Sequence, residues 1–435
     1  MVTALLRWIA DRPIAALPLF VLAAAERLAW VLAGNTATLD TELLNTAISW
    51  AQTGWIADAF RSGSGPTAHV GALPPVIPGT IFRIFGTDSF ASTIVLTTIG
   101  AAIVVATALV LSRVFARLGT PAAMRGAAVV LICLIPLHLE LEARSLRIYE
   151  NGYAALLLAL ALFAMVRLDA AAKIGMRDLV GLSALTVLIV ALSPTVGVAA
   201  IVMLGILAVR RLDWRKRFAA TAVLGLALIA TSLPWALRNQ AVMGETVWTR
   251  GNFGMELALG THAAAVQPAD PAETYLARIR EIHPHGNDAA YAAMRAAGGE
   301  LAYARSLGER TGHWIAAHPA DAATIWLRHA REFYFPPLWL WHHTARPDAT
   351  MPIRMLIVSL IAALALGGLF DALWRRQRDY LYFIPPVLLL PLPYLLTQPL
   401  IRYRYVIASL LIFLAADCVA RLAAARALRS ANLTR

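Results

Sequence analysis

The sequence predicts an all-α polytopic membrane protein, on three observations. Hydrophobic residues make up 59% of the chain and charged residues only 15%. Mean hydropathy is +0.65. No water-soluble fold has enough interior to hide that much apolar surface. Apolar runs long enough to cross a bilayer recur along the chain, about ten by the length a bilayer requires. The short connections between alternate runs are rich in arginine.

The expected spans are 13–34, 90–112, 126–138, 152–166, 178–192, 195–209, 218–236, 352–373, 381–397 and 404–420. The run 178–209 is too long for one helix, and Ser193-Pro194-Thr195 should fold it into a tight helical hairpin, because proline lacks a donor and clashes with the preceding turn. The first run exceeds a signal-peptide core and is followed by more spans, so it is expected to stay as a span. Arg7 and Arg12, then Arg113, Arg117 and Arg125, then Arg167, Lys173 and Arg177, fall on one side. Arg210, Arg211, Arg215, Lys216 and Arg217, then Arg375, Arg376 and Arg378, and the terminal arginines from Arg421 onward join them. By the positive-inside rule this face is cytoplasmic, with both termini on it. The same bias accounts for the formal charge of +12 without a nucleic-acid partner.

The chain reads as one membrane domain, 1–435, with two larger segments on the opposite face. The first covers 35–89. The second, 237–350, is alanine-rich with helical spacing and reads as amphipathic helices that cap the bundle or lie on the membrane. Cys133 and Cys418 fall within spans, so neither a disulfide framework nor zinc spacing is available.

Polar residues on the exterior face carry the chemistry. Asp40 and Glu42 follow the first span; a carboxylate pair there suits a general base or a cation ligand, and equally suits helix capping. His69 sits in the turn-rich Gly65-Pro66-Thr67-Ala68-His69 loop. Glu26 and Arg27 either face the bundle interior or snorkel to the interface. Glu140, Glu142, Arg144 and Arg147 cluster with Tyr149 and Glu150 between the third and fourth spans. Arg238-Asn239 follows Pro234-Trp235, and Arg402-Tyr403-Arg404-Tyr405 opens the last span. Arginine suits phosphate through bidentate bonds, and arginine beside tyrosine is also ordinary at a membrane interface.

Three stretches carry a family resemblance. Residues 39–86 run from the acidic start through Pro66-Thr67-Ala68-His69 and the proline run to Phe82-Arg83-Ile84-Phe85-Gly86. Residues 232–261 contain Pro234-Trp235 followed by Arg238-Asn239, and residues 402–417 begin Arg402-Tyr403-Arg404. Together they resemble the polytopic GT-C glycosyltransferases, specifically the bacterial glycosyltransferase family 39-like group that includes protein mannosyltransferases and lipid A aminoarabinose transferases. Ser193-Pro194-Thr195 is similar to the hairpin turn of these proteins.

The resemblance implies GT-C architecture in a bacterial inner membrane and inverting transfer of a sugar from a polyprenyl-phosphate donor on the periplasmic or outer face. The acceptor would be an envelope glycan, lipid or protein. Asp40 would take the acceptor proton, with Glu42 supporting or replacing it. His69 would shape the pocket; Arg238 and Arg402, with Arg404 or Arg147, would bind the lipid phosphate, with Asn239 beside them. Asp40, Glu42 and His69 are donors of kinds a divalent cation accepts, but no ligand spacing is diagnostic, so no metal is expected. The rival readings are a catalytically degenerate lipid-binding relative, a glycan polymerase or ligase, and a secondary transporter; the absence of an internal repeat counts against the last.

Overall fold

The computed structural model describes residues 1–33, 41–344 and 349–433. Its regular secondary structure among those residues is helical, apart from one isolated bridge between Ala57 and Pro66. A short amphipathic helix, α1 (Val2–Asp11), precedes α2 (Ala16–Leu32). Two site-end helices follow, α3 (Glu42–Thr53) and α4 (Val76–Phe85), then α5 (Phe90–Arg117), α6 (Ala122–Leu134), α7 (Asn151–Asp169), α8 (Met176–Leu192), α9 (Pro194–Arg211) and α10 (Trp214–Met243). Helices α11 (Phe253–Gly260), α12 (Pro271–Ile282), α13 (Asp288–Ala296), α14 (Glu300–Ala317), α15 (Pro319–Tyr334) and α16 (Leu338–Thr344) form a cap. The chain returns to the bundle with α17 (Met351–Trp374), a broken segment ending in α18 (Leu392–Leu396), and α19 (Ile401–Leu433).

Among the described residues, eight helical segments are long and apolar enough to cross a membrane. They match eight of the expected spans. Of the other two, α8 has 17 residues and α6 only 13. At about 1.5 Å per residue, α6 falls short of a bilayer's hydrocarbon thickness. Proline explains a second departure: Pro385, Pro386, Pro391 and Pro393 divide 378–396 into a 3-10 turn, a π turn and α18. Pro234, by contrast, does not end its helix. The segment expected to stop at 236 continues to Met243, so Arg238 and Asn239 stand on the last turns of α10. The helical hairpin forms as expected: Ser193 is extended between α8 and α9, and Gly197 lies so close to Val190 that a Cβ there would collide with it.

Helices α5, α7, α9 and α19 surround the main core, with Phe115, Leu162, Met165 and Phe413 fully enclosed. The arginine-rich connections gather at one end of the bundle, where several of them are ion-paired. Arg210 pairs with Asp169 at 2.5 Å, Arg125 with Asp11 at 2.8 Å, and Arg421 with Asp371 at 2.8 Å. Arg27 faces the bundle interior, where it pairs with Glu142; Glu142 also accepts from Tyr405 Oη at 2.8 Å. A buried cation needs such a partner. At the opposite end, the cap packs through Met255, Leu259, Tyr275, Leu307 and Trp341, which closes the helices over the bundle.

Candidate active site

Helix α3 begins at Thr41, whose hydroxyl accepts from the Leu44 amide at 3.2 Å and so caps the helix. The capping role that the sequence allowed for Asp40 therefore belongs to Thr41; Asp40 itself lies outside the described residues. Glu42 occupies the first turn, and α3 is seated against α4 where Gly79 lets the Ala47 carbonyl and the Trp50 ring approach. His69 lies on the loop between α3 and α4. That loop is tied to the cap: Glu300 accepts from Thr67 Oγ1 at 2.7 Å and from the Ala68 amide at 2.5 Å, and the Gly251 amide donates to the Ala68 carbonyl at 2.8 Å. His283 follows the last residue of α12, and Gly286, with φ +68°, turns the His283-Pro284-His285-Gly286 loop back.

These elements bring Glu42, His69 and His283 together, one ligand atom from each lying within 4.8 Å of the others. Glu42 Oε1 is 3.2 Å from His283 Nε2. Phe60 packs edge-on against both rings, at 5.2 Å from His69 and 6.1 Å from His283. Burial acts to raise the Glu42 pKa, but the surrounding imidazoles of His283, His69 and His285 outweigh it and hold the carboxyl down near about 2. Burial lowers His69 to about 4 against the pull of Glu42. Near neutral pH the cluster thus offers an ionised carboxylate and, at His69, a neutral imidazole with a free lone pair. One carboxylate oxygen and two imidazole nitrogens form a donor set suited to a divalent transition-metal ion.

Beside this cluster lie two adjoining cavities of different character. The first, about 460 Å³, is an apolar groove between α8 and α10, lined by Val187, Leu188, Ala191, Leu228, Trp235 and Trp248. The second, about 230 Å³, is polar; Glu150, Asn151, Arg250, Asn252, Glu256 and Tyr403 are among its walls. Pro194, at the hairpin turn, and Thr249 line both, which makes the two spaces neighbours. Arg250 marks the junction: a Cβ on groove residue Gly71 would lie 3.8 Å from its Nε, and its Nη2 pairs with Glu150 Oε1 at 2.5 Å. Asn252 links the polar chamber to the His69 side, since it also borders a small gap beside His69. Tyr394 and Tyr403 stack at 4.2 Å and form an aromatic wall.

Of the residues expected to bind substrate, Arg402 stands behind the Tyr403 wall of the chamber. It donates to Tyr149 Oη at 3.1 Å and to Tyr403 Oη at 3.0 Å, and lies over both rings. Arg238 and Asn239 do not line the chamber. Arg238 donates to the carbonyls of Thr67 at 2.9 Å and Ile56 at 2.5 Å, and Asn239 Nδ2 donates to the Val247 carbonyl at 2.9 Å. Both are occupied in stitching backbone, Arg238 to the His69 loop and Asn239 to the turn after α10. Arg404 is buried and turned toward α17, where it donates to the Val358 carbonyl at 3.4 Å. Arg147 is buried, and burial lowers it to about 10 against the opposing charge of Asp88. The exterior acidic group divides: Glu142 serves Arg27, Glu140 pairs with Arg144 at 3.7 Å, and Glu150 reaches the chamber.

Sequence reasoning missed His283, Arg250 and Glu256. Two of them carried a signal: the compact His-Pro-His-Gly run for His283, and, for Arg250, its place just before Gly251-Asn252 within the second family-like stretch. Glu256 on α11 had none.

No family model and no curated protein matches the chain. Among solved structures it is similar to the archaeal oligosaccharyltransferase AglB from Archaeoglobus fulgidus, solved with an inhibitory peptide and a dolichol-phosphate. That match has 14% identity and a TM-score of 0.48, and covers 98% of this chain and 52% of that one. The chain therefore spans about half the length of AglB. It is also similar to ArnT from Cupriavidus metallidurans bound to undecaprenyl phosphate, at 12% identity and a TM-score of 0.36, over 94% of this chain and 79% of that one.

Proposed function

We propose that the chain is a membrane glycosyltransferase of GT-C type, which moves a sugar from a polyprenyl-phosphate carrier to an acceptor hydroxyl on the face opposite the arginine-rich loops. The observation that carries this reading is the junction of an apolar groove with a polar chamber at Arg250. An isoprenoid tail has the chemistry of the groove, a phosphate that of Arg250, and a sugar ring that of the chamber's hydroxyls, amides and aromatic wall.

On this reading the tail lies along Leu188 and Leu228, and Arg250 receives the phosphate as Glu150 yields its place. Arg402 adds positive charge to the chamber from beside Tyr403. As the bond between the anomeric carbon and the phosphate oxygen breaks, negative charge grows on the phosphate, and fixed cations in a water-poor site stabilise it. The acceptor hydroxyl attacks from the opposite face of the sugar and inverts the anomeric centre. Its proton passes to the Asp40 carboxylate. Glu42, His69 and His283 would hold a divalent cation. When bound, that ion supplies positive charge beside the reacting groups.

Mass spectrometry of envelope glycans and prenyl-phosphate sugars, with and without the protein, tests the reading. Accumulation of one prenyl-phosphate sugar together with loss of one glycan sugar supports it and names both substrates. Unchanged glycans and donor pools overturn it.

A further inference from the structure

Glu256 has no part in the transfer as described. It stands on the fourth residue of α11 and lines the polar chamber. The helix that carries it is fixed at both ends by backbone contact. A Cβ on Gly254 would run into the Ala304 carbonyl, and one on Gly260 into the Thr397 carbonyl. The Glu256 carboxyl is thus a stationary group. Among the described residues its single hydrogen bond comes from Asn252 Nδ2 at 3.3 Å, and no cationic nitrogen stands within ion-pairing distance. Most of its hydrogen-bonding capacity is left to the chamber, and a carboxyl so placed needs a partner.

Building on the proposed reaction, we infer that Glu256 reads the donor sugar, pairing with ring hydroxyls of a single uncharged sugar. Chamber size limits the number of rings. At about 230 Å³ it lies below the roughly 300–1,000 Å³ of drug-sized ligand sites and suits one ring. Local charge gives an ammonium group little to pair with. Glu150 is already taken by Arg250 at 2.5 Å, and Arg402 lies over the Tyr403 ring and adds positive charge from behind it. A hydroxyl needs no such counter-charge. Burial raises the Glu256 pKa, and Glu42 adds to the rise against His283, Arg402 and Arg250, which favours a carboxyl able to donate as well as accept.

The test measures binding to purified full-length protein in detergent, using farnesyl phosphate alone and farnesyl phosphate carrying glucose, mannose, arabinose or glucosamine. We expect at least one uncharged sugar to tighten binding over farnesyl phosphate. Glu256→Ala should weaken that ligand about tenfold, the value of one hydrogen bond to a polar partner, and leave farnesyl phosphate unchanged. Glu256→Gln, which keeps a donor and an acceptor, should stay within about threefold of the parent. Equal weakening of farnesyl phosphate by Glu256→Ala would overturn the inference, as would tightest binding of the glucosamine lipid. If the parent protein binds no prenyl phosphate at all, it is the transferase reading itself that fails.

Discussion

Arg250→Met is the substitution that most sharply separates a structural cation from a working one. Arg250 and Glu150 face each other at 2.5 Å, with the Glu150 side chain 9% exposed. Removing the guanidinium leaves a buried carboxylate without its partner, a loss of about 3–5 kcal/mol where the charge persists. It also removes a donor to the departing phosphate, and one such donor is worth about 2.7–4 kcal/mol, or roughly 10²–10³ in turnover. The single variant should therefore lose both stability and activity. The double variant Glu150→Gln with Arg250→Met discards the orphaned charge. Its melting temperature in detergent should recover most of the way to the parent value while turnover stays down by at least about 10². Sugar transfer from a radiolabelled prenyl-phosphate donor in proteoliposomes, read beside the melting curve, gives both quantities. Parental turnover in the double variant would refute the reasoning and reduce Arg250 to a structural partner of Glu150.

Three further outcomes are expected. Asp40→Asn should remain membrane-inserted but nearly inactive, whereas parental turnover in a transfer assay would remove Asp40 from the reaction. Gly260→Ala should lower the melting temperature by an overpacking loss of about 1–3 kcal/mol or more, because α11 must retreat from the Thr397 carbonyl; an unchanged melting curve would contradict that contact. His329 is buried, its Nδ1 2.8 Å from the Leu395 carbonyl, and burial lowers its pKa to about 4 from an ordinary 6.5. The unfolded chain therefore takes up this proton first. Stability is full above pH 6.5 and falls as the pH drops toward 4, by at most about 3 kcal/mol. Melting curves across that window should be flatter for His329→Gln than for the parent.

Hydropathy made the bundle legible because each span must satisfy its backbone internally and bury its side chains in oil or protein. The places where the reading slipped are those where neighbours decide. Helix α6 ends early, although its composition resembles that of longer spans. Pro234 lies near the expected end of its span, yet α10 carries on beyond it for about two and a half turns. The site was legible by residue type and much less by role. Arg238 and Arg402 both look like phosphate ligands in sequence, and only the fold shows that the carbonyls of Ile56 and Thr67 occupy the first while the second stands against the chamber tyrosines. His283 joins Glu42 and His69 because the α12–α13 turn delivers it from a distant part of the chain, a relation that spacing along the sequence does not encode.

The central claim is that a lipid-borne sugar enters by the groove between α8 and α10 with its phosphate at Arg250. Photo-crosslinking with a diazirine-bearing polyprenyl phosphate, followed by peptide mapping, tests it most directly. Labels are expected on Val187, Leu188 and Leu228, competed away by undecaprenyl phosphate and reduced in the Glu150→Gln, Arg250→Met double variant. Labelling spread over the outer faces of the bundle, indifferent to competitor and to Arg250, would contradict the claim.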